Sequence, residues 1–151
     1  MKALNRIAAT LLLALPILAN AGYVGLRNFD NHAVSATVNT GFSAVDMRAA
    51  LIRGGAVHNW VMRDIEPGKL EATLNVRKHQ LIMHIDYTPN SYSLKYVSSA
   101  ELMDSRGRVH DAYLRWCKNL MQATDSQAGA IVMERATMPA ASTPPVSNSA
   151  Q

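Results

Sequence analysis

From Leu70 to Tyr96 the apolar residues of this chain recur every second position. Leu70, Ala72, Leu74 and Val76 alternate with Glu71, Thr73, Asn75 and Arg77; Leu81, Met83, Ile85 and Tyr87 alternate with Ile82, His84 and Asp86; Tyr92, Leu94 and Tyr96 alternate with Ser93 and Lys95. Successive side chains of a strand point to opposite faces, so each run is a strand with one buried face. The pairing can be read from the pattern. A turn at Lys78-His79 sets Val76 opposite Leu81, Leu74 opposite Met83, Ala72 opposite Ile85 and Leu70 opposite Tyr87. A loop over Thr88-Pro89-Asn90-Ser91 then pairs Tyr87 with Tyr92, Ile85 with Leu94 and Met83 with Tyr96. A slip of one residue in either hairpin would set apolar against polar. Ahead of these, Asn59 to Ile65 reads as a further strand. With a three-residue loop at Pro67-Gly68-Lys69, Trp60 and Met62 join the apolar face opposite Val76 and Leu74; a two-residue loop would bury Arg63 instead.

A sheet with one apolar face needs a covering layer, and two amphipathic segments supply it. Ser43 is an N-cap with Asp46 three residues on, a capping-box variant, and Phe42 can staple onto Met47. A helix from Ala44 to about Arg53 follows, with Val45, Ala49 and Ile52 as its apolar stripe and Gly54-Gly55 as its end. The second helix runs from about Asp111 to Ala123, where Tyr113, Trp116, Cys117 and Leu120 share one face. His110 is placed to cap it, with Val109 and Leu114 as a staple. The expected fold is therefore α+β in two layers, an antiparallel meander of about four strands packed on two helices in the order α-β-β-β-β-α. Residues 40–124 form this domain. Residues 22–39 are an N-terminal extension with a short strand near Tyr23-Val24-Gly25-Leu26 and turn chemistry at Asn28-Phe29-Asp30-Asn31. Residues 125–151 read as a low-order C-terminal tail, small and polar from Pro139 onward.

Residues 1–21 have the composition of a secretory signal peptide. Lys2 and Arg6 precede an apolar run from Ile7 to Leu18, too short to span a bilayer, and Ala19-Asn20-Ala21 offers a cleavage site. The expected product begins at Gly22, is periplasmic or secreted, and has no membrane span. Its formal charge falls from +4 to +2, because both basic residues and no acidic one leave with the signal. The longest basic cluster is Arg77-Lys78-His79, far short of the stripe a nucleic-acid binder uses. Cys117 is the one cysteine. It has no intramolecular partner and reads as a small buried hydrophobe, or else as an intermolecular disulfide or a reactive thiol.

Phe42 to Leu120 resembles an uncharacterised family of small exported bacterial proteins and lipoproteins. The residues that carry the resemblance are Trp60, Pro67-Gly68, Leu74 with Arg77-x-His79, Ile85-x-Tyr87, Tyr92-x-Leu94-x-Tyr96, Ser99-x-x-Leu102, and Val109-His110-x-x-Tyr113-x-x-Trp116-x-x-x-Leu120. The chain departs from that pattern in having Asn59 where Gly is favoured and in lacking a lipid-accepting cysteine. The resemblance implies export and a helix–sheet–helix plan, and it implies no activity.

Two groups of residues are candidates for chemistry. On the outer sheet face the expected register sets Glu71 opposite Asp86 and Thr73 opposite His84, with Lys95 on the other side of His84. Glu71, His84 and Asp86 together have the make-up of a two-carboxylate, one-histidine metal site. The plainer reading is a solvated face whose acids are balanced by Lys95 and Arg63. Arg77, His79 and His110 are the candidate ligand-binding residues, beside the second hairpin turn and at the start of the last helix, where anions can be received. Tyr87, Tyr92, Tyr96, Tyr113 and Trp116 lie on the core side, as packing or as a small pocket. The methionines and histidines are too scattered for a copper site. No Gly-x-Ser-x-Gly, His-Glu-x-x-His, P-loop or dinucleotide pattern occurs, and no cofactor is implied. The expectation is an exported, non-enzymatic accessory protein that binds a protein or envelope component. The alternatives are a metal or small-ligand binder using the outer sheet face, and a structural protein that self-associates. The oligomeric state is not encoded in any feature of the sequence.

Overall fold

A computed structural model of the chain describes residues 22–138. The expected signal peptide and the segment from Pro139 onward lie outside those residues. Seven strands and two α-helices follow in the order β1 (Tyr23–Gly25), β2 (Phe29–Ala33), α1 (Ala44–Val57), β3 (Trp60–Glu66), β4 (Lys69–Val76), β5 (His79–Tyr87), β6 (Ser91–Ala100), β7 (Arg108–His110) and α2 (Ala112–Thr137). The fold is α+β. Five strands form an antiparallel sheet in the order β2-β6-β5-β4-β3, and β1 pairs with β7 in a separate two-stranded ribbon. Among the described residues no helix is long and apolar enough to cross a membrane.

The faces of the sheet follow the alternation in the sequence. Leu70, Ala72, Leu81, Met83, Ile85 and Leu94 are fully buried against the helices, together with Tyr113, Cys117 and Leu120 of α2. Glu71, Thr73, His84 and Lys95 occupy the opposite, partly solvated face. The β5–β6 pairing is as expected from Tyr87↔Tyr92 to Met83↔Tyr96, after which the register shifts and Ile82 pairs with Ser98. The β4–β5 hairpin differs. Its turn is at Arg77-Lys78, so Val76 pairs with His79 and Leu74 with Leu81. The displacement is two residues, which preserves the faces while changing every partner. Arg77 makes this turn by adopting a φ of +55°. On the other side, Trp60 pairs with Leu74 and Met62 with Ala72, again displaced by two. The expected three-residue loop is a tight turn at Pro67-Gly68 plus an irregularity at Ile65, which absorbs the extra residue and keeps Trp60 on the buried face.

The capping box at Ser43 and Asp46 is formed in both directions. The helix it starts does not stop at Gly54-Gly55 but continues to Val57. The glycines serve close approach. A Cβ on Gly54 would stand 2.7 Å from the Thr124 backbone nitrogen, and one on Gly55 would stand 2.5 Å from the Met62 methyl. The buried stripe is correspondingly Met47, Ala50, Leu51 and Gly54, whereas Val45, expected on it, is 74% exposed. α2 also outruns expectation. It reaches Thr137 and buries Thr124, Ala128 and Ile131, so residues 125–137 are helix rather than tail. The N-terminal extension likewise belongs to the domain. Phe29-Asp30, expected in a turn, begin the edge strand β2, and His32 Nε2 lies 2.7 Å from Asp125 Oδ2 on α2.

Candidate functional site

Arg77, His79 and His110 converge on one cleft of about 380 Å³ where the β4–β5 turn meets the start of α2. Three structural causes bring them together. The turn at Arg77-Lys78 makes His79 the first residue of β5, on the same face as Leu81, and so directs it toward the helices. Pairing of Tyr23 with His110 ends β7 beside α2. The first turns of α2 then contribute Ala112, Arg115 and Trp116 to the wall. The His79 ring lies 6.1 Å from His110 and 6.2 Å from Trp116, centroid to centroid. Tyr23 closes on His110 edge-on at 5.8 Å.

The polar groups of this cleft are mainly donors. Arg48, Arg53, Arg63, Arg108 and Arg135 each have an acidic partner. Neither Arg77 nor Arg115 has one among the described residues, and no acidic side chain lines the cleft they share. His110 Nδ1 accepts the Ala112 N–H at 3.1 Å, which puts the proton of the neutral ring on Nε2. Asp111 Oδ1 also stands 3.0 Å from His110 Nδ1. His79 Nδ1 is buried without a partner. A bare acceptor there is less unfavourable than an unpaired N–H, so the neutral His79 ring carries its proton on Nε2. The N–H groups of Leu114 and Arg115 are taken by the Asp111 carbonyl. The N-cap of α2 is Asp111 rather than the expected His110, which instead accepts the first helical N–H from one residue further back, and the anion-attracting groups are the two guanidinium side chains and the imidazole N–H groups.

A second cleft of about 250 Å³ adjoins the first and shares Val76 and Trp116 with it. Its remaining wall is Val57, His58, Asn59, Trp60, Leu74 and Asn119. Asn59 sits at a φ of +61°, a conformation glycine adopts without steric cost and asparagine adopts more readily than most residues. The indole nitrogen of Trp60 has no hydrogen-bond partner.

Glu71, His84 and Asp86 do not gather into a three-ligand site. The observed register places Glu71 opposite His84 and Asp86 opposite Lys69, one pair further along the strands. Glu71 accepts from Arg63 at 2.8 Å and stands 3.9 Å from His84 Nε2. Asp86 lies 2.6 Å from Lys95 Nζ. The Lys95 hydrogen bond holds its carboxyl below the ordinary value, against the opposing effect of partial burial. Among the described residues no group of three histidine, cysteine, aspartate or glutamate side chains could hold a metal ion.

Most of the aromatic group is structural. Tyr92 and Tyr113 are buried, and the Tyr113 hydroxyl donates to the Arg27 carbonyl at 2.7 Å. Tyr92 OH lies 3.0 Å from Asp125 Oδ1 and 3.2 Å from the Met121 carbonyl. Cys117 is fully buried with Sγ 3.5 Å from Met83 Sδ. Burial pushes its thiol up to about 12, so the folded chain offers no reactive thiolate and no thiol within reach of another copy. Trp116 is the exception in facing both clefts. Arg115, Asn119 and Asp125 were not candidates from the sequence. Arg115 had a signal, its place between Tyr113 and Trp116 inside the resemblance, whereas Asp125 lay in a stretch without apparent periodicity.

No protein-family model matches the chain, and no curated protein matches its sequence.

Proposed function

We propose that this is an exported, non-enzymatic accessory protein of the bacterial periplasm or envelope, which holds an anionic group of a protein or envelope component in the Arg77–His110 cleft. One observation carries the reading. Arg77 and Arg115, the two arginines lining the cleft, have no acidic partner, while five of the seven other arginines among the described residues do; the remaining two, Arg27 over the Phe29 ring and the exposed Arg106, lie outside the cleft. Cations left unpaired in a concave site attract anions, and guanidinium groups bind carboxylate or phosphate through two parallel hydrogen bonds. The conformation of Arg77 supports this reading. A left-handed φ costs a non-glycine residue about 1 kcal/mol, and arginine there brings no compensating ion pair within the described residues. The signal-like segment Lys2 to Ala21 supports export.

Titration with inorganic phosphate, followed by amide chemical shifts, tests the binding. Saturable changes centred on Arg77, His79, His110 and Arg115 are expected, and they should be lost in Arg77→Gln/Arg115→Gln. Shifts scattered over the surface, or unaltered by the double substitution, would refute the reading. Cell fractionation with mass determination tests export, the expected species beginning at Gly22.

A further inference from the structure

The two clefts lie side by side with Val76 and Trp116 in both walls, and their linings are unlike. One carries Arg77, Arg115 and the two imidazole rings. The other has no lysine, arginine or acid in its wall; it is apolar along Val57, Leu74 and Trp60, and its polar residues are His58, Asn59 and Asn119. A carboxamide has both a donor and an acceptor, as a peptide group does, so each asparagine can pair with one amide of an extended chain. Trp60 is only 4% exposed and contributes its ring to that wall.

We propose that the two clefts together bind the C-terminal residues of an extended peptide, its free α-carboxylate in the cationic cleft and its last peptide groups and an apolar side chain in the carboxamide cleft. This rests on the anion-binding reading above and adds a ligand class to it. Phosphate or sulfate alone would leave the second cleft unused. A fatty acid would fill it without meeting the carboxamides. A peptide terminus satisfies the charge, the apolar wall and the amide-matching groups together.

The chain has two tryptophans, and both line the carboxamide cleft, so their fluorescence reports on occupancy there. The probes are N-acetyl-Ala-Leu-Ala with a free carboxylate, the same peptide as its C-terminal amide, octanoate, and inorganic phosphate. Each is titrated into protein recovered from expression of the full-length chain. The free acid should change the emission saturably, and the amide should bind about tenfold more weakly, as loss of a charge-assisted hydrogen bond implies. Asn119→Leu, which keeps the volume but removes the carboxamide, should weaken the free acid about fivefold and leave phosphate binding, followed by amide chemical shifts, unchanged. That unchanged phosphate binding also establishes that the variant is folded. Arg77→Gln should weaken both ligands. Equal binding of acid and amide, octanoate binding as tightly as the peptide, or an unaltered Asn119→Leu would overturn the peptide assignment while phosphate binding upheld the anion site. Failure of phosphate itself would overturn both.

Discussion

Gly54 of α1 lies directly on the backbone of Thr124 in α2, so close that an added Cβ would stand 2.7 Å from the Thr124 nitrogen and 2.8 Å from its Cα. Backbone cannot yield as a flexible side chain can. Gly54→Ala should therefore destabilise the protein by about 1–3 kcal/mol, although alanine is the better helix former. Gly129, also inside α2, supplies the contrast, since a Cβ there meets only the Ala36 methyl carbon at 4.0 Å. Gly129→Ala should stabilise by about 0.5–1 kcal/mol. Urea denaturation of the two variants beside the wild type decides both.

The Asp46 carboxylate is the hub of a pH-dependent clamp. It accepts the Ser43 N–H at 2.8 Å and the Ser43 hydroxyl at 2.6 Å, and it pairs with Arg135 near the end of α2. Burial works to raise its pKa, but the Ser43 hydrogen bonds and Arg135 together hold it below the ordinary carboxylate value. Its stabilisation is thus fully present above the unfolded value of about 3.9 and is lost as pH falls through the lower folded one. Asp46→Asn should cost about 1–2 kcal/mol at neutral pH. The gap between variant and wild type should close as denaturation is repeated toward about pH 3.

Cys117 should resist a thiol reagent such as a maleimide in the native protein and react fully in denaturant. Native labelling should run at the rate of unfolding rather than at the rate of the reagent. Prompt labelling under native conditions would contradict its burial.

Asp125→Ala removes the nearer of the two acceptors of the Tyr92 hydroxyl, leaving the Met121 carbonyl, and the partner of His32 in one step. The expected cost is about 1–2 kcal/mol. Amide exchange should quicken along β2, with the central strands β4 and β5 little changed, because only the edge strand is fastened through His32.

Arg77→Gly should separate stability from binding. Glycine adopts the observed φ of +55° without steric cost, so the variant should gain up to about 1 kcal/mol. It should also lose the phosphate response. A stabilised variant with undiminished binding would remove Arg77 from the site.

What the sequence disclosed, and what it concealed, depended on the kind of interaction. The buried face from Leu70 to Tyr96 was legible because side-chain alternation is local, and it survived a two-residue error in the hairpin register. The error arose at Arg77, since nothing in an arginine announces a left-handed turn. Gly54-Gly55 read as a helix end because glycine usually marks one, and the approach of α2 depends on residues seventy positions away. α2 itself was cut short because Thr124, Ala128 and Ile131, though spaced helically, are small or isolated and gave too little hydrophobic contrast. In the site, Arg77, His79 and His110 were candidates because the family resemblance includes all three, but their meeting was not anticipated, since it depends on the pairing of β1 with β7 and on the true β4–β5 turn. Arg115 was overlooked because a solvent-facing arginine one residue from a core tryptophan is unremarkable until its lack of an acidic partner is seen.

The strand pairings carry a consequence for synthesis. β1 is held by β7, and β2 is fastened to Asp125 of the last helix. In a nascent chain β1 thus waits for β7, and β2, which pairs with β6, gains its fastening to α2 only when most of the chain has left the ribosome. Its helix-sheet-helix middle can collapse earlier, but the edges close late. Such a chain remains threadable through most of its translation, and it acquires its final shape only when the last helix comes back to meet its beginning.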